Sequence, residues 1–231
     1  MPILFGAILF GRILQPSIAA ISTPKQMKLN GRGLPRDTKI GRRGLGKFIS
    51  GLVHPVNGRS GQAWAILGFI QTYNWTKDPV FLDAAQGVSD FYIKRLNEAN
   101  HGHPYVPLWD FDASTVDGKL PPRDTSSATC AATGLLKLHQ ILKGDSPYLK
   151  AAVKIISQTI DLSYPGDPAS FTISDGKITV TPPEAKWDSL FMNATENNNE
   201  FALTRSNNTG IVYADYYFLE FGNALLEMGF V

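Results

Sequence analysis

The feature that most constrains this chain is a repeated pair of helices. Phe81-Leu-Asp-Ala-Ala85 is echoed by Tyr148-Leu-Lys-Ala-Ala152. Each follows a proline break, Asp78-Pro79 in the first case and Ser146-Pro147 in the second. A short polar residue before Pro supplies an N-cap, and Pro at the first helical position gives up only an N–H that would be unpaired anyway. The helix ahead of the first break has a different character. Residues 62–73 are apolar nearly all round (Ala63, Trp64, Ala65, Ile66, Leu67, Phe69, Ile70), which predicts burial among other helices. After the break, Phe81, Ala84, Ala85, Val88, Phe91 and Tyr92 form one stripe, with Asp83, Gln86, Asp90 and Lys94 off it. That pattern predicts an outward-lying amphipathic helix. In the second copy the outer stripe reads Leu149, Ala152, Val153, Ile156 and Ile160. Units of this kind bury their faces only against neighbouring units, so the repeat predicts a stacked or toroidal array of hairpins.

The inner helix of the second pair is entered through a crowded stretch. Tyr105-Val-Pro-Leu-Trp-Asp-Phe-Asp112 is followed by a short loop and Pro121-Pro-Arg-Asp124. Asp124 or Thr125 is a good N-cap. Residues 126–134 are almost all small, which lets a neighbouring backbone come close, and Ala128, Ala131, Ala132, Leu135, Leu138 and Leu142 recur at helical spacing. Asp110, Asp112 and Asp124 crowd the turn. They fit a buried helix entered by a tight polar loop, and they also fit the rim of a carbohydrate cleft, with aromatic rings stacking on sugars and carboxylates bonding hydroxyls. On these residues alone the structural reading weighs more, because aromatics are usually core. Further on, residues 170–180 alternate and turn at Asp175-Gly176, a hairpin signal. Residues 192–209 are Asn-rich and read as loop. A last helix over 211–228 is apolar and aromatic on most sides, like the inner helices.

Composition excludes some classes. With 231 residues, 43% hydrophobic and 18% charged, the chain can bury a sizeable core as one domain or two small ones. A net charge of +2 is too small to argue for nucleic acid. The single cysteine, Cys130, excludes a disulfide framework and a cysteine zinc site, and it reads as a buried small hydrophobe. His54, His101, His103 and His139 have no metal-ligand spacing, and no cofactor is expected. The apolar run within residues 1–21 is broken by Arg12 and is too short to span a bilayer, so no membrane partner is expected. No basic residue precedes that run, so a secretory leader is the lesser reading and a cytoplasmic location is slightly favoured over secretion. Residues 25–47 carry Lys25, Lys28, Arg32, Arg36, Lys39, Arg42, Arg43 and Lys47 against Asp37. Their periodicity is poor, which predicts a disordered lead-in. The boundary falls at Asn57-Gly58: residues 1–58 form a poorly patterned basic segment, and residues 59–231 the helical domain.

Five motifs in order carry a family resemblance: Gly61-Gln-Ala-Trp-Ala-Ile-Leu-Gly-Phe69, Thr76-Lys-Asp-Pro79, Trp109-Asp-Phe111, Arg123-Asp-Thr-Ser-Ser-Ala128 and Tyr213-Ala-Asp-Tyr-Tyr-Phe218. Together they resemble the C-terminal half of the unsaturated glucuronyl hydrolases, glycoside hydrolase family 88. The resemblance implies an all-α fold, a partial (α/α)6 toroid of six-hairpin glycosidase type with one small β-hairpin. It implies release of 4,5-unsaturated glucuronic acid from lyase-generated oligosaccharides. The chemistry implied is hydration of a vinyl ether. An aspartic acid protonates C4, water adds at C5, and the hemiketal collapses.

The chain departs from the family in two ways. The family's two aspartates lie in its N-terminal half, which residues 1–58 do not resemble, so no catalytic residue is assigned. Ser60 stands where the family has an arginine that helps bind substrate, and Arg59, one place earlier, is the nearest candidate for that role. The resemblance makes Trp64 and Gln62 substrate-binding candidates, joined by Trp109 and Tyr213. Arg123 and Asp124 are expected to shape the cleft, and Asp215 to fix the last helix. The partner implied is an unsaturated uronic-acid oligosaccharide. The chain is expected to be truncated and weakly active or inactive, the alternative being a non-catalytic carbohydrate-binding remnant. Apolar inner helices lacking neighbours also predict self-association through unpaired toroid faces.

Overall fold

Five helices and one β-hairpin make up the computed structural model, which describes residues 59–144, 146–165, 170–181, 189–199, 201 and 203–230. The reading of residues 1–58 lies outside the described residues. Helix α1 (Arg59–Thr76) ends where Lys77 takes a positive φ of 56°, and α2 (Pro79–Glu98) starts at once. Asp78 caps α2, its carboxylate accepting the Val80 N–H at 3.0 Å, and Pro79 sits in the first turn. The expected stripe of α2 is the buried one, with Ala84, Ala85, Val88 and Tyr92 inside and Asp83, Asp90 and Lys94 exposed.

Helix α3 (Thr125–Leu142) is the hub and packs on α1, on α4 (Pro147–Ser163) and on α5 (Val212–Glu227). Every residue from Thr125 to Leu136 is buried. Small side chains make this possible. A Cβ on Gly134 would lie 2.7 Å from Ile66 Cγ2 and 3.1 Å from the Leu67 backbone nitrogen, so α1 approaches α3 at a distance only glycine permits.

The helix directions follow from their contacts. Phe69 and Phe81 stack across the α1–α2 turn, while Tyr92, near the end of α2, reaches Ser127 at the start of α3. Hence α1 and α3 are parallel and α2 runs against both. The end of α4 returns to the start of α3, since the chain at 192–193 bonds both Ser163 and Thr125. Thr133 bonds the Tyr217 carbonyl, and Lys137 pairs with Glu220 at 2.8 Å, so α5 runs parallel to α3. The result is a partial ring. Helices α1, α3 and α5 line the inside with their N-termini at one end, and α2 and α4 lie outside.

The outer stripe of α4 differs from the expected one. Its buried residues are Tyr148, Ala151, Ala152, Ile155, Ile156, Thr159 and Ser163, whereas Val153 and Ile160 are 46% and 40% exposed. The buried set follows an unbroken i, i+3, i+4 course, but three of its members carry hydroxyls and drop out of a search for apolar residues alone. The Tyr148 hydroxyl is satisfied by Asp90 at 2.8 Å and the Thr159 hydroxyl by the Ile155 carbonyl, so their burial costs little.

The hairpin pairs β1 (Ser170–Ser174) with β2 (Lys177–Thr181). Its turn residues Asp175 and Gly176 have φ of 52° and 73°, the left-handed pair that a two-residue hairpin turn requires. The described residues of the Asn-rich stretch are loop, as read, with isolated antiparallel bridges at Ala194–Thr209 and Asn197–Ser206. Among the described residues no helix is long and apolar enough to cross a membrane.

Candidate functional site

The N-terminal ends of α1, α3 and α5 meet at one end of the ring, and an aromatic cluster forms there. Trp64, six residues into α1, is 42% exposed. Its indole contacts two tyrosines of α5: Tyr213 at 5.9 Å between ring centroids, tilted by 52°, and Tyr217 at 5.4 Å, edge-on at 75°. The inner helix read as apolar all round is therefore open on its Trp64 side. Burial pushes the Tyr213 phenol up from the ordinary value, an effect that Ser126, in the first turn of α3, opposes.

Gln62 sits one turn before Ile66 on the face of α1 turned to α3. It is 7% exposed, and its Oε1 is a buried side-chain acceptor without a hydrogen-bond partner among the described residues. A buried amide oxygen left unpaired is costly, on the order of 1–3 kcal/mol. Arg59 opens α1, but its side chain lies outside the described structure.

The crowded loop is engaged with itself. Asp110 accepts the Asp112 N–H at 2.9 Å, and Asp112 pairs with Arg95 at 2.6 Å. Buried Asp124 caps α3, accepting from Ser126 N–H, from Ser126 Oγ at 2.5 Å, and from Ser127 N–H. Arg123 donates to the carbonyls of Gly102, His103 and Val106, and burial lowers its pKa from the usual guanidinium value. These groups build the loop that the inner helices rest on, and they are not poised as a pair of catalytic carboxyls. Trp109 is half-buried on the Leu108–Arg123 bridge, its N–H bonded to the Pro122 carbonyl at 2.8 Å, and no described ring contact joins it to Trp64. Asp215 holds the neighbouring segment by accepting the Leu190 and Phe191 N–H groups. Burial, with Asp124 and Glu220 nearby, pushes the Cys130 thiol well above its ordinary range, which makes it a poor nucleophile.

The charge at this end is uneven. A helix N-terminus carries a partial positive charge that favours an anion. Asp124 already serves that end of α3 and Asp215 that of α5, whereas α1 has no acidic residue in its first turn.

An unsaturated glucuronyl hydrolase of Formosa agariphila is 29% identical over 160 residues, which cover 69% of this chain and 34% of that protein. The chain is similar to the unsaturated glucuronyl hydrolases. The solved unsaturated glucuronyl hydrolase of Bacillus sp. GL1, described as responsible for glycosaminoglycan degradation, superposes with a TM-score of 0.53 at 21% identity, over 74% of this chain and 40% of that one. A mutant of the Streptococcus agalactiae unsaturated glucuronyl hydrolase, solved in complex with dGlcA-GalNAc6S, gives a TM-score of 0.50 at 21% identity over 72% and 38% of the two chains. These likenesses show the fold, a part of the helical toroid of the unsaturated glucuronyl hydrolases. The chain spans about a third of the length of the curated relative it matches. No protein-family model matches the chain.

Sequence reasoning did not single out Tyr217, Ser126 or Thr133. Tyr217 was within reach, because it lies one helical turn after Tyr213 and so on the same face.

Proposed function

We propose that this chain forms part of the substrate cleft of a glycoside hydrolase acting on 4,5-unsaturated uronic-acid oligosaccharides, and that its own share is to hold the sugar. One observation carries this: a partly exposed indole held between two tyrosines, near the N-terminus of an inner helix with no acidic residue in its first turn. In this reading Trp64 stacks on a pyranose face, and the uronate carboxylate lies toward the start of α1. The S. agalactiae complex with an unsaturated disaccharide supports this substrate class.

The reaction so served is hydration of the C4–C5 double bond. A carboxylic acid delivers a proton to C4, water adds at C5, and the hemiketal opens to release the remaining sugar. General acid–base catalysis contributes typically ~10²–10⁴-fold, and the carboxylates near Trp109 are tied up in caps, turns and an ion pair. The chain by itself is therefore expected to bind substrate and turn over little of it. The test titrates an unsaturated chondroitin disaccharide into the purified chain by calorimetry and follows loss of the double-bond absorbance. Binding that is lost in Trp64→Ala, with negligible turnover, supports the reading. No binding by the wild type overturns it, and rapid turnover would show that this chain carries its own acid.

A further inference from the structure

We propose that Tyr217 is a positioning residue for Trp64, setting the plane of the indole before any sugar arrives. The inference rests on the carbohydrate reading of the site for its purpose, but its geometry stands apart from that reading. An indole 42% exposed has rotamer freedom to lose, and a stacking platform that must be ordered by its ligand binds less well than one ordered beforehand. Of the two tyrosines on Trp64, Tyr217 is the closer and makes the edge-on contact that the ring quadrupoles favour.

Tyr217 is itself fixed. Its carbonyl accepts the Thr133 hydroxyl at 2.9 Å. Tyr216 meets its ring edge-on at 5.1 Å and 80°, and one turn on, Glu220 pairs with Lys137 at 2.8 Å. Thr133 and Lys137 both belong to α3, the helix that meets α1 at Gly134. Trp64 is thus oriented from α3 through α5, by way of the Tyr217 ring, while Tyr213 makes the longer, tilted contact.

The experiment reads the indole directly. The near-ultraviolet circular dichroism of Trp64 is taken as the difference between a protein and its Trp64→Phe version, in the wild-type, Tyr217→Phe and Tyr217→Ala backgrounds. Disaccharide affinity is measured on the same proteins. We expect the Trp64 signal to survive in Tyr217→Phe, which keeps the ring, and to collapse in Tyr217→Ala. Affinity should fall about two- to tenfold in Tyr217→Ala only, which is what one aromatic pair is worth. Tyr217→Leu replaces the alanine variant if that one does not melt cooperatively. An unchanged Trp64 signal without the Tyr217 ring overturns the inference, even where affinity falls, because Tyr217 would then touch the sugar itself. If the wild type binds no disaccharide, the functional reading fails while the dichroism still decides the positioning role.

Discussion

Asp124 is a carboxylate in a candidate cleft whose work is structural. Its oxygen caps α3 through Ser126 and Ser127, and its backbone and neighbours tie in the 105–110 and 192–195 segments through Pro107, Met192 and Thr195. Losing an N-cap costs about 0.5–2 kcal/mol, and here the freed N–H groups would be buried. Asp124→Ala should lower stability by about 2 kcal/mol or more in urea unfolding, with Asp124→Asn recovering part of it. The tyrosines give a pH prediction. Tyr217 is pushed up to about 12, first by burial and then by Cys130 and Glu220. Tyr148 is also pushed up to about 12, first by burial and then by its bond to Asp90. An unfolded tyrosine ionises near 10, so between about 10 and 12 the unfolded chain releases protons that the folded chain keeps. Stability should be insensitive to these groups below pH 10 and fall as pH rises through that window. A Tyr148→Phe/Tyr217→Phe protein should show a flatter decline of Tm.

At the scale of elements, the approach of α1 to α3 is the most exacting feature. Replacing Gly134 by Ala gains helix propensity of about 1 kcal/mol but forces a Cβ against Leu67 backbone that cannot swing aside. Overpacking costs typically ~1–3 kcal/mol, so a net loss of up to roughly 2 kcal/mol is expected. Gly87, in exposed mid-α2 with nothing within 4 Å of its would-be Cβ, should behave oppositely, and Gly87→Ala should raise Tm. Two glycines inside helices would thus respond with opposite signs. Propensity alone would rank them together. The same lesson holds for α4: its apolar letters alone point a stripe toward Val153 and Ile160, whereas Tyr148 and Thr159, whose hydroxyls have internal partners, lie on the buried face.

At the scale of the molecule, α5 is covered on one side only among the described residues. Ala214 and Phe221 are buried, whereas Val212, Tyr216 and Leu226 are exposed and lie on one face of the helix, and Phe230 just past its end is exposed too. Trp75, at the end of α1, is 80% exposed. An apolar stripe of this length along an inner helix favours association. Produced by itself, the chain should elute with a light-scattering mass above 25.3 kDa, and a Tyr216→Lys/Leu226→Glu version should shift toward that value. A sharp monomer with a cooperative melt in the unsubstituted chain would contradict this.

Much of the architecture was legible as local pattern. The Asp78-Pro79 break, the cap at Asp124, the Asp175-Gly176 turn and the inner and outer characters of α1 and α2 each depend on residues within one or two turns, where backbone sterics and 3.6-residue periodicity act directly. The resemblance carried by Gly61–Phe69 and Tyr213–Phe218 pointed to the family fold in the same way. What only the tertiary structure decided lies between elements. Residues 62 and 213 lie far apart in the chain, yet Gln62, Trp64 and Tyr213 share one end of the ring. The carboxylates that looked available in the loop are spent on Arg95, on their own turn and on a helix end. Tyr217, one letter among three consecutive aromatics, becomes a neighbour of Trp64 only because Thr133 and Lys137 hold α5 in register on α3. Periodicity gives the direction of a side chain about its own helix axis. Whether a partner stands in that direction depends on how the helices are packed against one another.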